Sequence, residues 1–403
     1  MVADEAIWAR VTRELADDLA VDAPARDRAG KPPFDEVSRL REAGLPALLT
    51  PPGPAGRGAH WRTACSVVRE ISAADGSIGE LLAHHYALSW SARFFGSPEK
   101  RDAFESRAVA EQWLLGGSTH VEGKDAGSGL TLTPVRGGYV LDGRGGFRAG
   151  VTVADRLVLG ATCRATREHL IVLVDPDHTG VRTDTANDRL GQRLSGAGEV
   201  DFDHVPVSAD QVLGALPRDE HTASPFTSLA PLALSLLLAH VGLGIAEGAL
   251  AEARDISRGA PPARLPASAR EEYADRPGGD PYVLLAYGEL ATAAHTAAAV
   301  TERAAEALAR GLLAGPQLGV DDRADIAVRV AAAEAVTSRS ATHITARVLE
   351  LTDDADALDG GAGLDRFWRD AHALTAGTSA AHRLRDIGDD YLNGTHPRLT
   401  RGT

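Results

Sequence analysis

The sequence predicts a mainly α-helical protein that carries a small antiparallel β-domain in the middle of the chain. Apolar residues recur at helical spacing as far as about residue 113, and the period then changes to two until about residue 214. The helical period returns in long stretches after residue 223. These observations divide the chain into an N-terminal helical domain at 1–113, a middle β-domain at 114–221 and a C-terminal helical bundle at 222–403.

The first block is predicted to be helical because its apolar residues lie on one face. Ile7, Val11, Leu15 and Leu19 show this spacing, with charged residues between them. A later helix is predicted to begin at Ser97, where a capping hydroxyl is followed by a proline and an acidic residue.

The middle block alternates apolar and polar residues, which is typical of strands. Leu130, Leu132 and Pro134 alternate with threonines, and a glycine turn at 136–138 leads into the next run. Runs at 157–159, 170–174 and 200–205 have the same character. We expect an antiparallel sandwich or barrel.

Four long helical stretches follow, at 228–258, 283–313, 323–351 and 365–388. Thirty helical residues span about 45 Å, so these stretches predict a long antiparallel four-helix bundle. Segments rich in glycine, proline or aspartate at 51–58, 259–280 and 353–363 predict loops.

Composition excludes several classes of protein. The net charge of −14 opposes binding to nucleic acid or to anionic lipid. Cys65 and Cys163 are the only cysteines, so a disulfide framework or a cysteine zinc site cannot form. The N-terminus lacks a signal-peptide pattern, and the longest apolar stretch, at 229–244, is short of a membrane span. We expect a cytoplasmic protein that binds neither membrane nor nucleic acid.

Spacing alone identifies few chemical groups. The chain has neither a dinucleotide-binding nor a P-loop glycine motif. His84 and His85 are adjacent on a predicted helix and point about 100° apart, which is unsuitable for a metal pair, and we expect no metal. His85, with Tyr86 and Trp90, is compatible with a packed core histidine or with an acid–base residue.

Several short motifs resemble those of the acyl-CoA dehydrogenase superfamily, in the same order along the chain. Others resemble its dibenzothiophene monooxygenase branch. The superfamily motifs lie at 74–81, 137–143 and 191–207, and the branch motifs at 244–250, 280–282, 364–371, 384–388 and 391–394. The resemblance implies a two-component monooxygenase that oxygenates a mid-sized aromatic or heteroatom-bearing metabolite. It further implies reduced FMN or FAD supplied by a separate flavin reductase, and a homo-oligomer, a dimer or a tetramer.

The same resemblance implies roles for individual residues. It makes His85 the catalytic acid–base group beside the flavin, with substrate-binding side chains around it at His84, Tyr86, Trp90 and Ser195. The flavin would lie between the β-domain and the bundle, held by residues at Ser118, Thr119, Phe147, Arg148, Ala149, Arg258 and Thr378.

The chain departs from the family pattern at four places. Ala376 precedes Gly-Thr-Ser, where dehydrogenases carry a carboxylate base, and the His-Asp-Pro of the monooxygenase branch is absent. Ala149 places a methyl group where a hydroxyl is usual, and Arg258 is followed by glycine rather than by further arginines. Two alternatives therefore stay open. One is an acyl-CoA dehydrogenase-type oxidoreductase acting on C–C bonds, and the other is a flavin-free descendant such as a cyclase, a lyase or a structural partner.

Overall fold

The computed structural model describes residues 2–50, 58–119, 129–185, 189–216, 223–259, 280–352, 363–376 and 380–395. The N-terminal part is helical, as predicted. Its helices are α1 (Val2–Ala29), α2 (Phe34–Glu42), α3 (Trp61–Ala74), α4 (Gly76–Ser89), α5 (Ser91–Phe95) and α6 (Pro98–Ala110).

A single sheet follows the helices. Its strands are β1 (Leu115–Ser118), β2 (Thr131–Val135), β3 (Gly138–Phe147), β4 (Arg156–Cys163), β5 (His169–Val174), β6 (Val181–Thr185), β7 (Gly198–Ser208) and β8 (Val212–Leu216). They are ordered β6-β7-β3-β2-β4-β5-β8, with β1 paired to β4. The expectation of a purely antiparallel domain is corrected, because β4 pairs in parallel with both β1 and β2.

The C-terminal helices are α7 (Leu229–Gly259), α8 (Pro281–Ala314), α9 (Val320–Leu351), α10 (Asp365–Thr375) and α11 (Ala380–Asn393). The first three match the predicted stretches, whereas the fourth stretch contains two helices instead of one. The loops expected at 51–58, 259–280 and 353–363 lie almost entirely outside the described residues.

Two helix starts have the capping groups that begin them. Ser97 accepts a hydrogen bond from the Lys100 amide at 3.4 Å, which confirms the predicted start of α6. The Asp75 carboxylate accepts from the amides of Ser77 at 3.1 Å and Ile78 at 3.2 Å and so begins α4. This cap fixes the helix that carries the histidine pair.

The helical core forms around α7, which packs against α3, α4, α8 and α9. Glycine allows the closest of these contacts. A Cβ at Gly248 would collide with the Ala73 carbonyl oxygen of α3, and one at Gly244 would collide with the Arg69 carbonyl oxygen. The sheet has its own apolar core, and a third cluster joins it to α5 and α6.

Two helices are long and apolar enough to cross a membrane by length and composition. The most apolar window of Leu229–Gly259 is 72% buried inside the protein, so that helix is a core helix. The corresponding window of Pro281–Gln317 is only 22% buried, so this helix presents an apolar face that the described chain does not cover.

We expect Gly248→Ala to lower the free energy of unfolding by about 1–3 kcal/mol, because its methyl group forces α7 away from α3. Gly242→Ala is the matched control on the same helix, since its Cβ would lie 3.5 Å from Leu374 Cδ2, an ordinary contact. It should stabilise the protein by up to about 1 kcal/mol through helix propensity. Urea unfolding measures both. Equal effects of the two substitutions would contradict this packing.

Candidate active site

Parts of three structural regions meet at one buried junction. Helix α4 supplies Glu80 and His84, which lie one turn apart on the same face. The turn after β3 supplies Arg148. The segment between β6 and β7 supplies Arg189, Gln192 and Ser195. The C-terminal end of α10 closes the junction with backbone carbonyl groups. We call this set the three-way junction.

Three side chains converge at its centre. The His84 Nε2 atom lies 3.9 Å from Glu80 Oε1, and Arg148 Nε lies 3.5 Å from the same oxygen. All three atoms are buried, and none has a hydrogen-bond partner within the described part of the chain. Buried polar atoms are normally hydrogen-bonded, so unpaired polar atoms at one point indicate a functional site.

Arg148 connects the sheet to α10. Its Nη2 atom donates to the carbonyl oxygens of Ala373 at 3.0 Å and Leu374 at 3.4 Å. Its own carbonyl oxygen accepts from Ser195 Oγ at 2.8 Å and from Arg189 Nη1 at 3.1 Å. These bonds fix the backbone of Arg148, while 38% of its side chain stays exposed.

Gln192 and Asp370 support Glu80 from the other side. With its amide nitrogen facing Glu80, Gln192 donates to Glu80 Oε2 at 2.9 Å and to the Gly76 carbonyl at 3.0 Å. Its backbone amide donates to Asp370 Oδ1 at 2.6 Å. Gly76 is needed here because a Cβ would lie 2.9 Å from Asp370 Oδ2. The orientation of Glu80 is therefore set by neighbours on three elements.

Burial decides the protonation of these groups. It raises the pKa of Glu80, although Arg148 and Arg189 act in the opposite direction. It lowers the pKa of His84 to about 3, so this imidazole is neutral at pH 7. It also raises the pKa of Asp370 to about 8. The guanidinium groups of Arg148 and Arg189 face these buried groups with permanent positive charges.

His85 faces away from the junction, and the geometry argues against its predicted acid–base role. Its Nε2 atom donates to the Pro46 carbonyl at 2.8 Å, and its Nδ1 atom accepts from the Leu115 amide at 3.0 Å. Both ring nitrogens are therefore used by the backbone, and burial lowers the pKa to about 4. With these bonds His85 joins α4 to β1, as the packed-histidine alternative expects, and an acid–base role for this residue stays a prediction.

Three of the predicted substrate-binding residues also pack structurally. The Tyr86 hydroxyl donates to the Leu45 carbonyl at 3.1 Å, and its ring is fully buried. Trp90 packs edge-on against Trp61, with ring centroids 5.2 Å apart. Ser195 is fully buried and holds the Arg148 backbone. Of the four predicted substrate-binding residues, only His84 directs an unpaired atom to the junction.

The predicted cofactor residues are dispersed. Phe147 is part of the sheet core, and Ala149 is fully buried. Ser118 and Thr119 are half-buried at the end of β1, where the Thr119 carbonyl oxygen accepts from His169 Nε2 at 3.0 Å. Arg258 lies at the exposed end of α7, and Thr378 lies outside the described residues. Arg148 is the predicted cofactor residue that reaches the centre of the junction.

Sequence reasoning missed Glu80, Arg189 and Gln192. Glu80 precedes His84 by four residues, a spacing that places both side chains on one helical face and was available from the sequence. The other two residues lie between strands, where no periodicity marks them.

Elsewhere on the surface, Asp142, Asp203 and His204 are close enough to share an ion, but His204 Nδ1 already pairs with Asp203 Oδ1 at 2.7 Å.

Comparison with known proteins agrees with this architecture. A family model described as acyl-CoA dehydrogenase, N-terminal domain, matches residues 3–112, and one described as acyl-CoA dehydrogenase, C-terminal domain, matches residues 236–381. The crystal structure of FMN-bound TdsC from Paenibacillus sp. A11-2 covers 98% of this chain and 99% of its own, with a TM-score of 0.89 and 31% identity. These matches define an acyl-CoA dehydrogenase fold.

Similarity to individual proteins narrows the class. The chain is 33% identical to a dibenzothiophene monooxygenase of Rhodococcus qingshengii over 397 residues, which cover 96% of this chain and 93% of that protein. It is 29% identical to the probable FMNH2-dependent monooxygenase SfnC of Pseudomonas putida, covering 96% and 95%. The protein belongs to the dibenzothiophene monooxygenase-like branch of the acyl-CoA dehydrogenase superfamily. The resemblance inferred from the motifs is confirmed.

The lowered pKa of His85 predicts how stability depends on pH. The unfolded chain binds a proton at this residue near pH 6.5, whereas the folded chain binds it only near pH 4. Stability is therefore lost as the pH falls through this window, at about 1.4 kcal/mol per pH unit for each such histidine. His85→Ala should make that slope shallower by this amount.

The same substitution should lower the free energy of unfolding at pH 7 by about 1–3 kcal/mol, because the Pro46 carbonyl and the Leu115 amide lose their partner. Urea unfolding at several pH values between 7 and 4.5 measures both effects. His343→Ala, at an exposed position on α9, is the control. A His85→Ala variant with the wild-type slope would show that His85 is not held neutral.

Proposed function

We propose that the protein is a flavin-dependent monooxygenase that uses reduced FMN supplied by a separate flavin reductase. The observation that carries this proposal is similarity along almost the whole chain to monooxygenases of this type, together with three unpaired polar atoms at the three-way junction. The activity named for SfnC and the FMN bound by TdsC support FMN over FAD. The substrate is a mid-sized aromatic or heteroatom-bearing molecule.

The donor set of the junction fits a flavin. The ring system of a flavin carries carbonyl oxygens and nitrogens that accept hydrogen bonds, and the exposed part of the Arg148 side chain, 38%, would let its guanidinium donate to them. Ser118 and Thr119 add two hydroxyl groups at the end of β1, which packs against α4. Ala149 contributes no side-chain donor, so the guanidinium of Arg148 beside it would take over this role. Arg258, whose side chain is 69% exposed, would hold the phosphate.

The bound reduced flavin supplies the electrons that activate O₂. His84 and Glu80 would then exchange the proton at the reacting oxygen, because His84 Nε2 lies 3.9 Å from the buried Glu80 carboxyl group, whose pKa burial raises. Arg148 approaches Glu80 at 3.5 Å and is held in turn by Ser195 and Arg189. The buried surroundings exclude water from this transfer.

One observation supports the dehydrogenase alternative. Glu80 is a buried carboxyl group with a raised pKa, as a base that removes a carbon-bound proton would be. The relatives with such activities are more distant, since the cyclohexane-1-carbonyl-CoA dehydrogenase of Geobacter metallireducens matches only 57% of this chain at 30% identity. Anaerobic reduction of bound FMN by an acyl-CoA would establish this alternative.

The exposed apolar face of α8 supports a homo-oligomer. A groove of about 1140 Å³ lies between α8 and α9, lined mainly by small and apolar side chains that include Leu284, Leu285 and Leu384. Each of these leucines is at least half exposed, and exposed apolar patches of this kind mark interfaces. A second copy of the chain covers this face in a dimer or tetramer.

Free, buried Cys65 and Cys163 support a reducing, cytoplasmic location.

We expect the purified protein to bind reduced FMN and, with a flavin reductase, to oxygenate at least one compound of a panel of dibenzothiophene, indole and methanesulfinate. His84→Ala should lower product formed per O₂ consumed about 100-fold, while the Kd for reduced FMN changes less than about threefold. Anaerobic titration and product chromatography measure the two quantities, with His343→Ala as the control. Absence of reduced-FMN binding, or normal coupling in His84→Ala, would contradict the proposal.

We expect Leu285→Asp to dissociate the oligomer, because it places a charge in the apolar groove. Analytical ultracentrifugation should show the wild type at a multiple of 42.2 kDa and the variant at a lower multiple. Val135→Asp, at an exposed apolar position on the sheet, is the matched control and should leave the mass unchanged. A wild-type monomer would contradict the oligomer.

A further inference from the structure

We infer that the three-way junction binds an anionic oxygen-acid group of the substrate, a carboxylate, sulfinate or sulfonate, through Arg148 and Arg189. The inference rests on the proposed function in one respect, namely that the bound molecule is the substrate. The binding site itself follows from the placement of charges and unpaired donors.

The first argument is the pairing of charges. Two guanidinium groups lie at the junction, and Glu80 is the carboxyl group that approaches Arg148 Nε, at 3.5 Å, without a well-formed hydrogen bond. Arg189 Nη1 donates only to neutral acceptors, the Arg148 carbonyl and Ser195 Oγ. Among the described residues, no carboxylate oxygen lies within 4 Å of an Arg189 nitrogen. Arg189 thus brings to the junction a positive charge that no described carboxylate pairs within 4 Å.

The second argument is the direction of the donors. Arg148 Nε can only donate, and a neutral histidine can donate through Nε2. These two buried donors lack a well-formed hydrogen bond, since the nearest oxygen, Glu80 Oε1, lies 3.5 Å from Arg148 Nε and 3.9 Å from His84 Nε2. Such donors suit a ligand atom that accepts several hydrogen bonds, and an oxygen of an ionised acid accepts the strongest ones. A purely apolar substrate would leave these buried donors unpaired at a cost in affinity.

The third argument is access. Arg148 is fixed through its backbone and through bonds to Ala373 and Leu374, yet more than a third of its side chain faces solvent. The C-terminal carbonyls of α10 carry only a partial negative charge, so they orient the guanidinium without neutralising it. The guanidinium is therefore preorganised and reachable, which are the two conditions for recognition of a planar acid.

The phosphate of FMN is a second possible source of the same anion chemistry. We assign the site to the substrate because Arg148 lies beside the proposed proton-transfer pair, close to which the substrate must bind, whereas the ribityl chain separates the phosphate of FMN from the reacting ring. Comparison of FMN with riboflavin separates the two sources. If Arg148 holds the phosphate, its removal weakens binding of FMN but not of riboflavin.

The test is calorimetric titration of the full-length protein, without flavin, with benzoate and benzenesulfinate, and with benzamide as the uncharged control. The wild type should bind both anions at least tenfold more tightly than benzamide. Arg148→Gln should weaken anion binding at least tenfold, and Arg148→Lys should weaken it less, because a lysine keeps the charge but lacks the planar fork. Arg144→Gln, an exposed arginine on β3, should leave binding unchanged.

Three results would overturn the inference: no preference of the wild type for the anions over benzamide, equal losses in Arg148→Gln and Arg144→Gln, or a loss in Arg148→Gln that affects FMN but spares riboflavin and the anions. If Arg148→Gln does not fold, the comparison between wild type and Arg148→Lys decides the question. Anion binding without binding of reduced FMN would sustain this site and contradict the proposed monooxygenase. Binding of reduced FMN without anion binding would contradict this site and leave the proposed monooxygenase in place.

Discussion

The contacts of one half-buried guanidinium group, that of Arg148, organise the centre of this protein. Arg148 leaves the sheet and enters a junction of α4, α10 and the segment before β7, where it donates to two carbonyl oxygens and approaches the buried Glu80. A charge taken out of water is costly unless other groups compensate it, so each surrounding element is held in place by this requirement. The same arrangement leaves polar atoms unpaired at a single point, and for this reason we propose the junction as the active site.

Two adjacent histidines of α4 have different surroundings, because successive side chains on a helix point about 100° apart. His84 and His85 are adjacent in sequence, but one faces the unpaired atoms of the junction and the other bonds to the backbone of Pro46 and Leu115. Both are neutral because both are buried, but only His84 has a ring nitrogen free of backbone bonds at the junction. In the proposed function, Glu80, His84 and Arg148 take the place of the side chains that this chain lacks at Ala376 and Ala149.

Much of the architecture could be predicted from the sequence, and the site much less. Helical and strand periodicities are local properties, so the order of elements, the cap at Ser97 and the superfamily were all accessible. The parallel pairing of β4 with β1 and β2 joins residues that are far apart in the sequence, by about forty positions for β1 and about thirty for β2. A local sequence pattern does not record such pairings. The choice between His84 and His85 depends on which face of α4 meets β1, and Arg189 and Gln192 lie in a segment without periodicity.

Because the account depends on what occupies the three-way junction, a crystal structure of the protein with FMN and benzenesulfinate tests it most directly. The account predicts that the flavin ring lies between the sheet and α10, and that the sulfinate oxygens lie within hydrogen-bond distance of Arg148, with His84 facing the reacting edge of the ring. A structure in which both ligands bind elsewhere, with the junction closed by Arg148 and Glu80, would contradict it.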